Sequence, residues 1–219
     1  MTLIKAKEKK CKKCHTSTMY RKNGMCMDCY KDWLLNTEEG RRKLKKSALH
    51  AHKEVQKEEK QKDKEKKIDL MSKDKYRALY VQPIINEIAR LIDYGQPCIA
   101  TGLFSGKMNG GHFHAVGSNR TIALNLHNIH IQSFHSNHFK SGDNTKYREG
   151  LKRVYGQEYL DLVESLNSIP AIHLSLSDLK EIKNHAIIIR KELRESPVVL
   201  TPWERIELRD TINFRLGIY

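Results

Sequence analysis

The sequence is poor in the residues that build large hydrophobic cores and membrane spans. Hydrophobic residues make up 39% of the 219 positions and aromatic residues 7%, whereas charged residues make up 30%. No apolar run approaches the roughly 20 residues that cross a bilayer, and the lysine-containing N-terminus lacks the apolar segment of a signal peptide. We therefore expect one or two small domains, no membrane partner and a location in the reducing cytoplasm.

Acidic residues are outnumbered by basic ones, 26 to 40, which gives a formal net charge of +14. Such a charge favours a polyanionic partner, and we predict DNA, either branched or duplex. An anionic membrane is less favoured, because no basic helical pattern carries a broad, aromatic-rich apolar face. The charge alone would also suit an ordinary soluble helical protein.

Cysteine is scarce, but four of the five cysteines form two Cys-x-x-Cys pairs, Cys11 with Cys14 and Cys26 with Cys29. In a reducing compartment such pairs are typical of thiolate metal ligands, and two pairs complete a tetrahedral four-sulfur shell. The surrounding segment has too little apolar surface to fold without such a cross-link. We therefore predict one structural zinc ion per chain in a module over residues 1–36, whose lysines are suited to contact a phosphate backbone.

The segment from Glu38 to about Lys67 has no proline, and no glycine after Gly40. Lysine, glutamate and glutamine dominate it, which predicts a long exposed helix within a charged linker over residues 37–70. A disordered basic linker is the alternative. The few apolar residues do not sustain a coiled-coil seam.

The remaining sequence has a globular composition and divides into a domain over residues 71–170 and C-terminal helices over residues 171–219. Helical periodicity predicts an amphipathic helix that Pro83 begins or kinks, and the alternation over residues 122–126 predicts a half-buried strand. Predicted helices then cover residues 147–154, 159–166 and 176–193, the last with Ser177 as its N-cap and Ile187, Ile188 and Ile189 in the core, and a further helix begins at Thr201 and Pro202. The predicted fold class is α+β and mainly helical.

One histidine and two asparagines have the spacing of an HNH, or ββα-metal, nuclease finger. His112 follows two glycines, Asn128 lies sixteen residues later, and Asn137 lies nine residues after that. This resemblance implies that His112 is the general base that activates water and that Asn128 supports the loop. It also implies that Asn137 helps to hold a catalytic magnesium or manganese ion at the start of a short helix.

The segment from about Cys98 to Leu166 resembles the NinG (Rap) family of phage recombination proteins. The matching residues are Pro97-Cys98-Ile99, Gly111-His112-Phe113, Asn128-Ile129-His130 with Gln132, Asn137, Ser141-Gly142, Tyr147-Arg148 and Gly150-Leu151. The four-cysteine module, the charged helix and the amphipathic helix precede this segment in the family's order. The resemblance implies a finger embedded in a helical domain, and a metal-dependent endonuclease that cuts branched recombination intermediates such as Holliday junctions and D-loops.

The sequence departs from that family where a second zinc ion would be held. Cys98 is retained, whereas the other three positions hold Thr101, Ser133 and Ser136. One thiolate and three hydroxyls bind zinc poorly, so we expect this zinc to be absent and packing by Phe134 and the later helices to replace it. A metal site formed by Cys98 with His130 and His135 is the alternative.

The catalytic metal shell is also incomplete, because Gly111 stands where many HNH fingers have an aspartate or histidine ligand. Further ligands could come from His114, His138 or Asp143. The basic residues that we predict to contact DNA are Arg148, Lys140 and Arg120, and an ordinary solvated charge is the alternative for each.

The sequence therefore predicts a metal-dependent DNA endonuclease, and it leaves two alternatives. One is a non-catalytic, zinc-containing DNA-binding accessory protein of recombination. The other is a sequence-specific HNH endonuclease, although the last fifty residues show no evident module for reading a sequence. A homodimer would suit the symmetry of a branched substrate.

Overall fold

The computed structural model describes residues 8–117, 120, 122–139, 144–170 and 172–218, with the backbone alone for residues 138 and 139. The chain forms two compact units, which divide between Leu70 and Met71. The domain boundaries predicted inside these units stay predictions. Lys140 and the Ser141-Gly142-Asp143 segment lie outside the described residues, as does the side chain of His138.

The N-terminal unit contains one short hairpin and two helices. Strands β1 (Lys9–Lys10) and β2 (Ser17–Thr18) pair antiparallel, and helices α1 (Met27–Asn36) and α2 (Glu38–Asp69) follow. Thr37 caps α2 by accepting a hydrogen bond from the Gly40 backbone N–H. The predicted long helix is confirmed, and at 1.5 Å per residue it is about 48 Å long.

The apolar residues of α2 show why it lacks a coiled-coil seam. Leu44, Leu49 and Val55 are all exposed. Gly40 is buried at the α1–α2 junction, where an added Cβ would lie 2.1 Å from the carbonyl oxygen of Trp33. The two helices can therefore approach each other only because this position has no side chain.

The second unit begins with a helical segment that changes its hydrogen-bonding pattern. A short helix α3 (Lys73–Tyr76) leads into a π-helical turn (Arg77–Val81), and α4 (Gln82–Ile92) then begins with Pro83 in its first turn. Proline is tolerated there because its missing N–H needs no partner at the start of a helix. Pro83 thus begins α4, which is one of the two alternatives that the sequence predicted. Leu79, in the π-helical turn, is exposed.

A two-stranded hairpin packs against α4. Strands β3 (Met108–His112) and β4 (Ile129–Ser133) are antiparallel, with His112 opposite Ile129, and helix α5 (Phe134–Phe139) follows β4 directly. On one face of β3, an added Cβ at Gly110 would lie 2.6 Å from the carbonyl oxygen of Asn86 in α4. The glycine therefore permits close contact between strand and helix.

The strand predicted over residues 122–126 is wrong. Those residues form turns, and a 3-10 helix (Leu126–Asn128) precedes the true second strand, β4. Ile122, Ala123 and Leu124 are all buried, so the apolar alternation does not mark one buried and one exposed face. The backbone there also closes turns, with Asn125 N–H donating to the Ile122 carbonyl, instead of joining the sheet.

Helices complete the second unit. They are α6 (Asn144–Tyr155), α7 (Gln157–Ser165), a 3-10 turn (Leu166–Ser168), α8 (Leu176–Glu195) and α9 (Pro202–Arg215). The N-cap of α8 is Ser175 rather than the predicted Ser177, because Ser175 and Asp178 form a reciprocal capping box. The predicted cap of α9 by Thr201 is confirmed, and Glu204 completes a second capping box.

The core explains one further error in the sequence interpretation. Of the three consecutive isoleucines in α8, only Ile189 is buried, since neighbours on a helix point about 100° apart. An apolar cluster draws on α6, α7, the segment after α4 and the loop after β3, and its members are Cys98, Ile99, Ala100, Phe113, Ile122, Tyr147, Leu151, Tyr159, Leu160, Val163 and Leu166. The fold is α+β and mainly helical.

A buried ion pair joins the last helix to this core. Arg209 of α9 is fully buried and donates to both carboxylate oxygens of Asp93 at 2.8 Å. Burial alone would lower the pKa of Arg209, but the charge of Asp93 raises it, so the guanidinium stays protonated. No helix within the described ranges is long and apolar enough to cross a membrane.

Candidate functional site

The four paired cysteines converge in the N-terminal unit. Their sulfur atoms all lie within 4.8 Å of one another, and the sulfurs of Cys14 and Cys26 are 3.6 Å apart. Tetrahedral zinc–thiolate bonds of about 2.3 Å place sulfurs about 3.8 Å apart, so the spacing fits a structural zinc ion. Cys26 is the N-cap of α1, and Cys29 lies in its first turn, so this helix positions one of the two pairs.

Backbone amides prepare these sulfurs for a metal. The Sγ of Cys11 accepts hydrogen bonds from the backbone N–H groups of Lys13 at 3.4 Å and Cys26 at 3.2 Å. Hydrogen bonding from the Cys14 backbone, and then from these amides, lowers the pKa of Cys11 to about 6. Hydrogen bonding with the Cys26 and Cys14 sulfurs, followed by desolvation, raises the pKa of Cys29 to about 12.

In the second unit, His112 ends β3 with its ring held on one side. Its Nε2 lies 3.0 Å from the carbonyl oxygen of Ala123 and 3.1 Å from the side-chain nitrogen of Gln82. A carbonyl oxygen can only accept, so Nε2 carries the proton and donates it to Ala123. The other ring nitrogen, Nδ1, then holds a lone pair, and no residue in the described ranges hydrogen-bonds to it.

Gln82 of α4 shares the Ala123 carbonyl with His112. Its side-chain NH₂ donates to the Ala123 carbonyl at 2.7 Å and to Asn86 Oδ1 at 2.9 Å, while its Oε1 accepts from Arg77 at 3.3 Å. Both N–H groups are thus committed, and Gln82 is left with no hydrogen to donate to Nε2 of His112. Sequence reasoning missed Gln82, and the signal that pointed to it is the proline-marked break in the helix beside it.

Burial keeps the His112 imidazole neutral. Desolvation lowers the pKa of His112, the hydrogen bond to Ala123 raises it, and the nearby Arg77 charge lowers it again, with a lowered pKa as the net result. A neutral imidazole with an unshared Nδ1 lone pair can accept a proton at neutral pH.

Asn128 is fully buried and pins the loop between the two strands. Its Oδ1 accepts from the His114 backbone N–H at 2.7 Å, and its Nδ2 donates to the carbonyl oxygens of His114 at 3.1 Å and Ile122 at 3.3 Å. The Asn128 side chain therefore bonds the loop both just after β3, at His114, and farther along, at Ile122. Its predicted place beside the loop matches these contacts, although Asn128 acts on the backbone and its bonds reach no His112 ring atom.

Gly111 sits directly against Gln132 of β4. A Cβ added to Gly111 would lie 2.0 Å from Gln132 Oε1 and 2.9 Å from its Cβ. The Gln132 side chain thus fills the volume that a side chain at position 111 would occupy, and it also approaches Ser136 of α5 at 3.4 Å. The aspartate or histidine that many HNH fingers have at this position would therefore overlap Gln132.

Known phage proteins resemble this chain over most of the segments described above. A family profile described as "Bacteriophage Lambda NinG protein" matches residues 3–196. The chain belongs to this NinG family. It is 33% identical to "Protein ninG" of Escherichia phage lambda over 116 residues, 52% of this chain and 56% of that protein. It is 31% identical to "Protein ninG" of Enterobacteria phage H19B over 116 residues, 52% of this chain and 57% of that protein.

A third relative is "Protein ninG" of Escherichia phage 933W, 34% identical over 85 residues, which are 38% of this chain and 42% of that protein. The chain thus spans little more than half the length of the first two relatives. No solved structure matches the chain significantly.

Within this NinG-family fold, Asn137 lies on α5 and is half-buried. The described contacts bring His112, Gln82 and Ala123 together, and they do not include a contact between His112 and Asn137. The roles predicted for Asn137 and His112 therefore stay predictions.

Two histidines that sequence reasoning considered as metal ligands have other partners. The Nε2 of His114 lies 2.8 Å from the Val163 carbonyl, and its Nδ1 lies 2.9 Å from Asn167 Nδ2. The ring nitrogens of His130 each bond a tyrosine hydroxyl, Tyr147 at 3.1 Å and Tyr159 at 3.0 Å. In this conformation neither ring has a nitrogen left for a metal ion.

The four positions at which the resemblance implied a second zinc ion come together as a hydrogen-bonded set. Burial would raise the pKa of Cys98, but hydrogen bonds with Thr101 and Ser133 outweigh it and lower the pKa. Ser133 Oγ also accepts from the Ser136 backbone N–H at 3.2 Å. Phe134 is 41% exposed, so these hydrogen bonds, rather than the expected aromatic packing, occupy the site. Its rescue by His130 and His135 is not seen, since the four N-terminal cysteines form the one metal-type cluster among the described residues.

The basic residues predicted to contact DNA are exposed and paired. Arg148 of α6 forms an ion pair with Glu164, and Arg120 forms one with Asp74. Exposed pairs of this kind contribute about 0–1 kcal/mol, so a phosphate group can displace the carboxylate at little cost. Lys140 lies outside the described residues.

Proposed function

We propose that this NinG-family protein is a metal-dependent DNA endonuclease that acts on branched recombination intermediates. The observation that carries the proposal is the neutral His112, held by Ala123 and Gln82 with its Nδ1 lone pair unshared. When one ring nitrogen of a histidine is protonated and hydrogen-bonded, the other nitrogen keeps a lone pair and can accept a proton, as a general base must.

In the proposed reaction, His112 Nδ1 accepts a proton from a water molecule, and the water oxygen attacks the phosphorus. The bond from phosphorus to the leaving sugar oxygen then breaks. Asn128 holds the loop that carries this geometry, and the hydrogen bond to the Ala123 carbonyl holds the imidazole. The Nε2–H group donates to the Ala123 carbonyl throughout the reaction. The ring can therefore become an imidazolium and keep this hydrogen bond.

A magnesium or manganese ion would supply stabilisation of the leaving oxygen and of the phosphate charge. The described residues fit such an ion only in part. Asn137 offers a hard amide oxygen, while Gly111 offers no side chain. Magnesium commonly keeps several waters and is held by few protein groups together with substrate phosphates. Asn137 with water and DNA oxygens would satisfy that pattern.

DNA as the substrate is supported by charge and by the zinc module. The chain carries 40 basic and 26 acidic residues. Lys9, Lys10 and Lys12 border the cysteine cluster and are exposed. Such a module supplies affinity for phosphate backbones that does not depend on sequence, while a closed four-sulfur shell leaves the ion itself no catalytic role.

A non-catalytic accessory protein is the second candidate, and one observation favours it. Among the described residues, no group of three histidines, cysteines or carboxylates gathers outside the N-terminal cysteines. A DNA-binding protein whose finger had lost catalysis would have this feature.

The decisive experiment incubates the full chain with a labelled four-way junction or a matched linear duplex, with magnesium or manganese. We expect preferential nicking of the junction by the wild type. His112→Ala should bind the junction with unchanged affinity and should not cut it. His185→Ala, which removes an exposed histidine of α8, is the matched control and should cut normally.

Two outcomes would contradict the proposal. Cleavage by His112→Ala at the wild-type rate would reject the assigned base. Binding by the wild type with no cleavage in either metal would favour the accessory protein.

The pH dependence provides a further test. His112 must be neutral to act, and its pKa lies below the ordinary value of 6.5. The single-turnover cleavage rate should therefore hold its plateau to below pH 6.5 and fall tenfold per pH unit only beneath the lowered pKa. A rate that already declines between pH 8 and pH 7 would contradict this assignment of the base.

A further inference from the structure

A cavity of about 240 Å³ opens in the second unit beside the π-helical turn. Its charged lining consists of Lys73, Arg77 and Arg120, with Asp74 as the single carboxylate, and His173 adds a titratable ring. Counting full charges gives a net charge of about +2, from three cations and one anion. A water molecule takes roughly 30 Å³, so the space suits a phosphate group with part of its hydration.

Arg77 is the unusual member of this lining. It is only 9% exposed, and its Nη1 donates to Gln82 Oε1 at 3.3 Å. Its Nε is buried without a hydrogen-bond partner within the described part of the chain. No carboxylate there forms an ion pair with it, because Asp74 pairs with Arg120.

A buried guanidinium without a paired anion is costly, and removing its solvation must be offset by some partner. Arginine presents its five N–H groups in a rigid fork that matches phosphate oxygens. Exposed Lys73 and Arg120 stand on the same cavity and can draw a polyanion toward it.

We propose that this cavity binds a phosphate group of the DNA backbone, with Arg77 as its buried anchor and Lys73 and Arg120 at its rim. The proposal rests on the proposed function only in taking DNA as the ligand. The cavity connects to the candidate site by hydrogen bonds, since Arg77 donates to Gln82, and Gln82 and His112 both donate to the Ala123 carbonyl. The phosphate bound here is therefore a neighbour of the scissile one.

The test measures binding without cleavage, with the full chain, a linear duplex, a chelator of divalent magnesium, and a series of salt concentrations. Each lost phosphate contact lowers the slope of log affinity against log salt by about 0.9. We expect Lys73→Gln and Arg77→Gln each to lower the slope by about 1 and to weaken binding several-fold to tenfold. Lys191→Gln, an exposed lysine of α8, is the matched control and should leave the slope unchanged.

A gain-of-affinity variant guards against misfolding as an explanation. Asp74→Asn removes the one carboxylate of the lining and frees Arg120, so it should tighten DNA binding several-fold. Damage to the fold cannot produce that result. Unchanged salt slopes in Lys73→Gln and Arg77→Gln, or weaker binding by Asp74→Asn, would overturn the proposal.

A titration with inorganic phosphate separates two sources of the same chemistry. If millimolar phosphate protects the protein from thermal unfolding through Arg77 but the duplex slopes do not change, the cavity is a small-anion site and the DNA assignment is wrong. The salt slopes do not depend on catalysis. If the variants change the salt slopes as expected but the wild type never cuts DNA, the phosphate site stands and the proposed endonuclease activity is rejected. If the wild type cuts DNA but the salt slopes do not change, the activity stands and the phosphate site is rejected.

Discussion

Replacing Arg209 with methionine should destabilise the second unit strongly. Arg209 is fully buried and donates two 2.8 Å hydrogen bonds to Asp93, and it also donates to the backbone carbonyl of Leu126 at 3.2 Å. Methionine fills a similar volume but leaves the Asp93 carboxylate buried, at 1% exposure, without its main counter-charge. The loss therefore has little to do with packing and much to do with an uncompensated charge.

The expected magnitude follows from what remains around Asp93. Removing one partner of a buried ion pair costs about 3–5 kcal/mol. Arg205 stays 3.4 Å from the carboxylate, and the Ile131 N–H and Tyr155 hydroxyl still donate to it. We therefore expect the lower end, about 3 kcal/mol, which corresponds to roughly 6–12 °C in the unfolding midpoint of a domain of this size.

Denaturant and thermal unfolding, followed by circular dichroism, measure this change. Arg215→Met is the control, because Arg215 lies on the same helix, is exposed, and forms only a surface pair with Glu192; its loss should cost less than about 0.5 kcal/mol. Adding Asp93→Leu to Arg209→Met should not restore the lost stability, because it leaves the buried guanidinium of Arg205 without its carboxylate partner. A loss below 1 kcal/mol for Arg209→Met would refute the reasoning.

Three further predictions test the candidate sites. Gly111→Asp introduces the ligand that many HNH fingers have, and its overlap with Gln132 should destabilise the fold by about 1–3 kcal/mol in unfolding assays. Nicking assays should show no increase in cleavage. Adding Gln132→Gly to the same chain should recover the lost stability. Nitrogen NMR should find the proton of neutral His112 on Nε2 in the wild type and also in Gln82→Leu, because the Ala123 carbonyl still accepts it, and a wild-type proton on Nδ1 would contradict the assigned tautomer. Metal analysis should find about one zinc per chain, lost in Cys26→Ser, whereas about two would show that the hydroxyl set still binds zinc.

The zinc module was predictable from sequence because its chemistry is local. Cys-x-x-Cys places both sulfurs of a pair on one ion whatever the rest of the chain does, so Cys11 and Cys29 could be assigned to one cluster from spacing alone. The long helix was predictable for the same reason, since its lysine, glutamate and glutamine residues favour a helix locally and no proline interrupts them. The two capping residues differ in outcome: Thr201 before Pro202 is unambiguous, while Ser175 and Ser177 compete and only the placement of Asp178 selects Ser175.

The strand over residues 122–126 was predicted in the wrong place because strand pairing is not local. Residues 122–126 alternate in polarity, but the segment is buried on all sides, and its Ala123 carbonyl is taken by Gln82, forty-one residues earlier in the chain. No period in the sequence encodes a partner at that distance. For the same reason the sequence did not reveal the role of Gln82. Nor did it reveal the ion pair between Asp93 and Arg209, which are 116 positions apart.

These long-range contacts give the C-terminal helix its role. Asn213 of α9 accepts from the Leu126 N–H at 3.0 Å and donates to Asn125 at 3.1 Å, while Arg209 of the same helix holds the Leu126 carbonyl. The 3-10 turn that delivers Asn128 to its loop is thus bonded from one side by α9. A helix fixed by a buried ion pair thus limits the positions that the loop beside His112 can take. Removing α9 should therefore loosen the candidate site itself, and the loop carrying Asn128 should be the first segment to lose protection from hydrogen exchange.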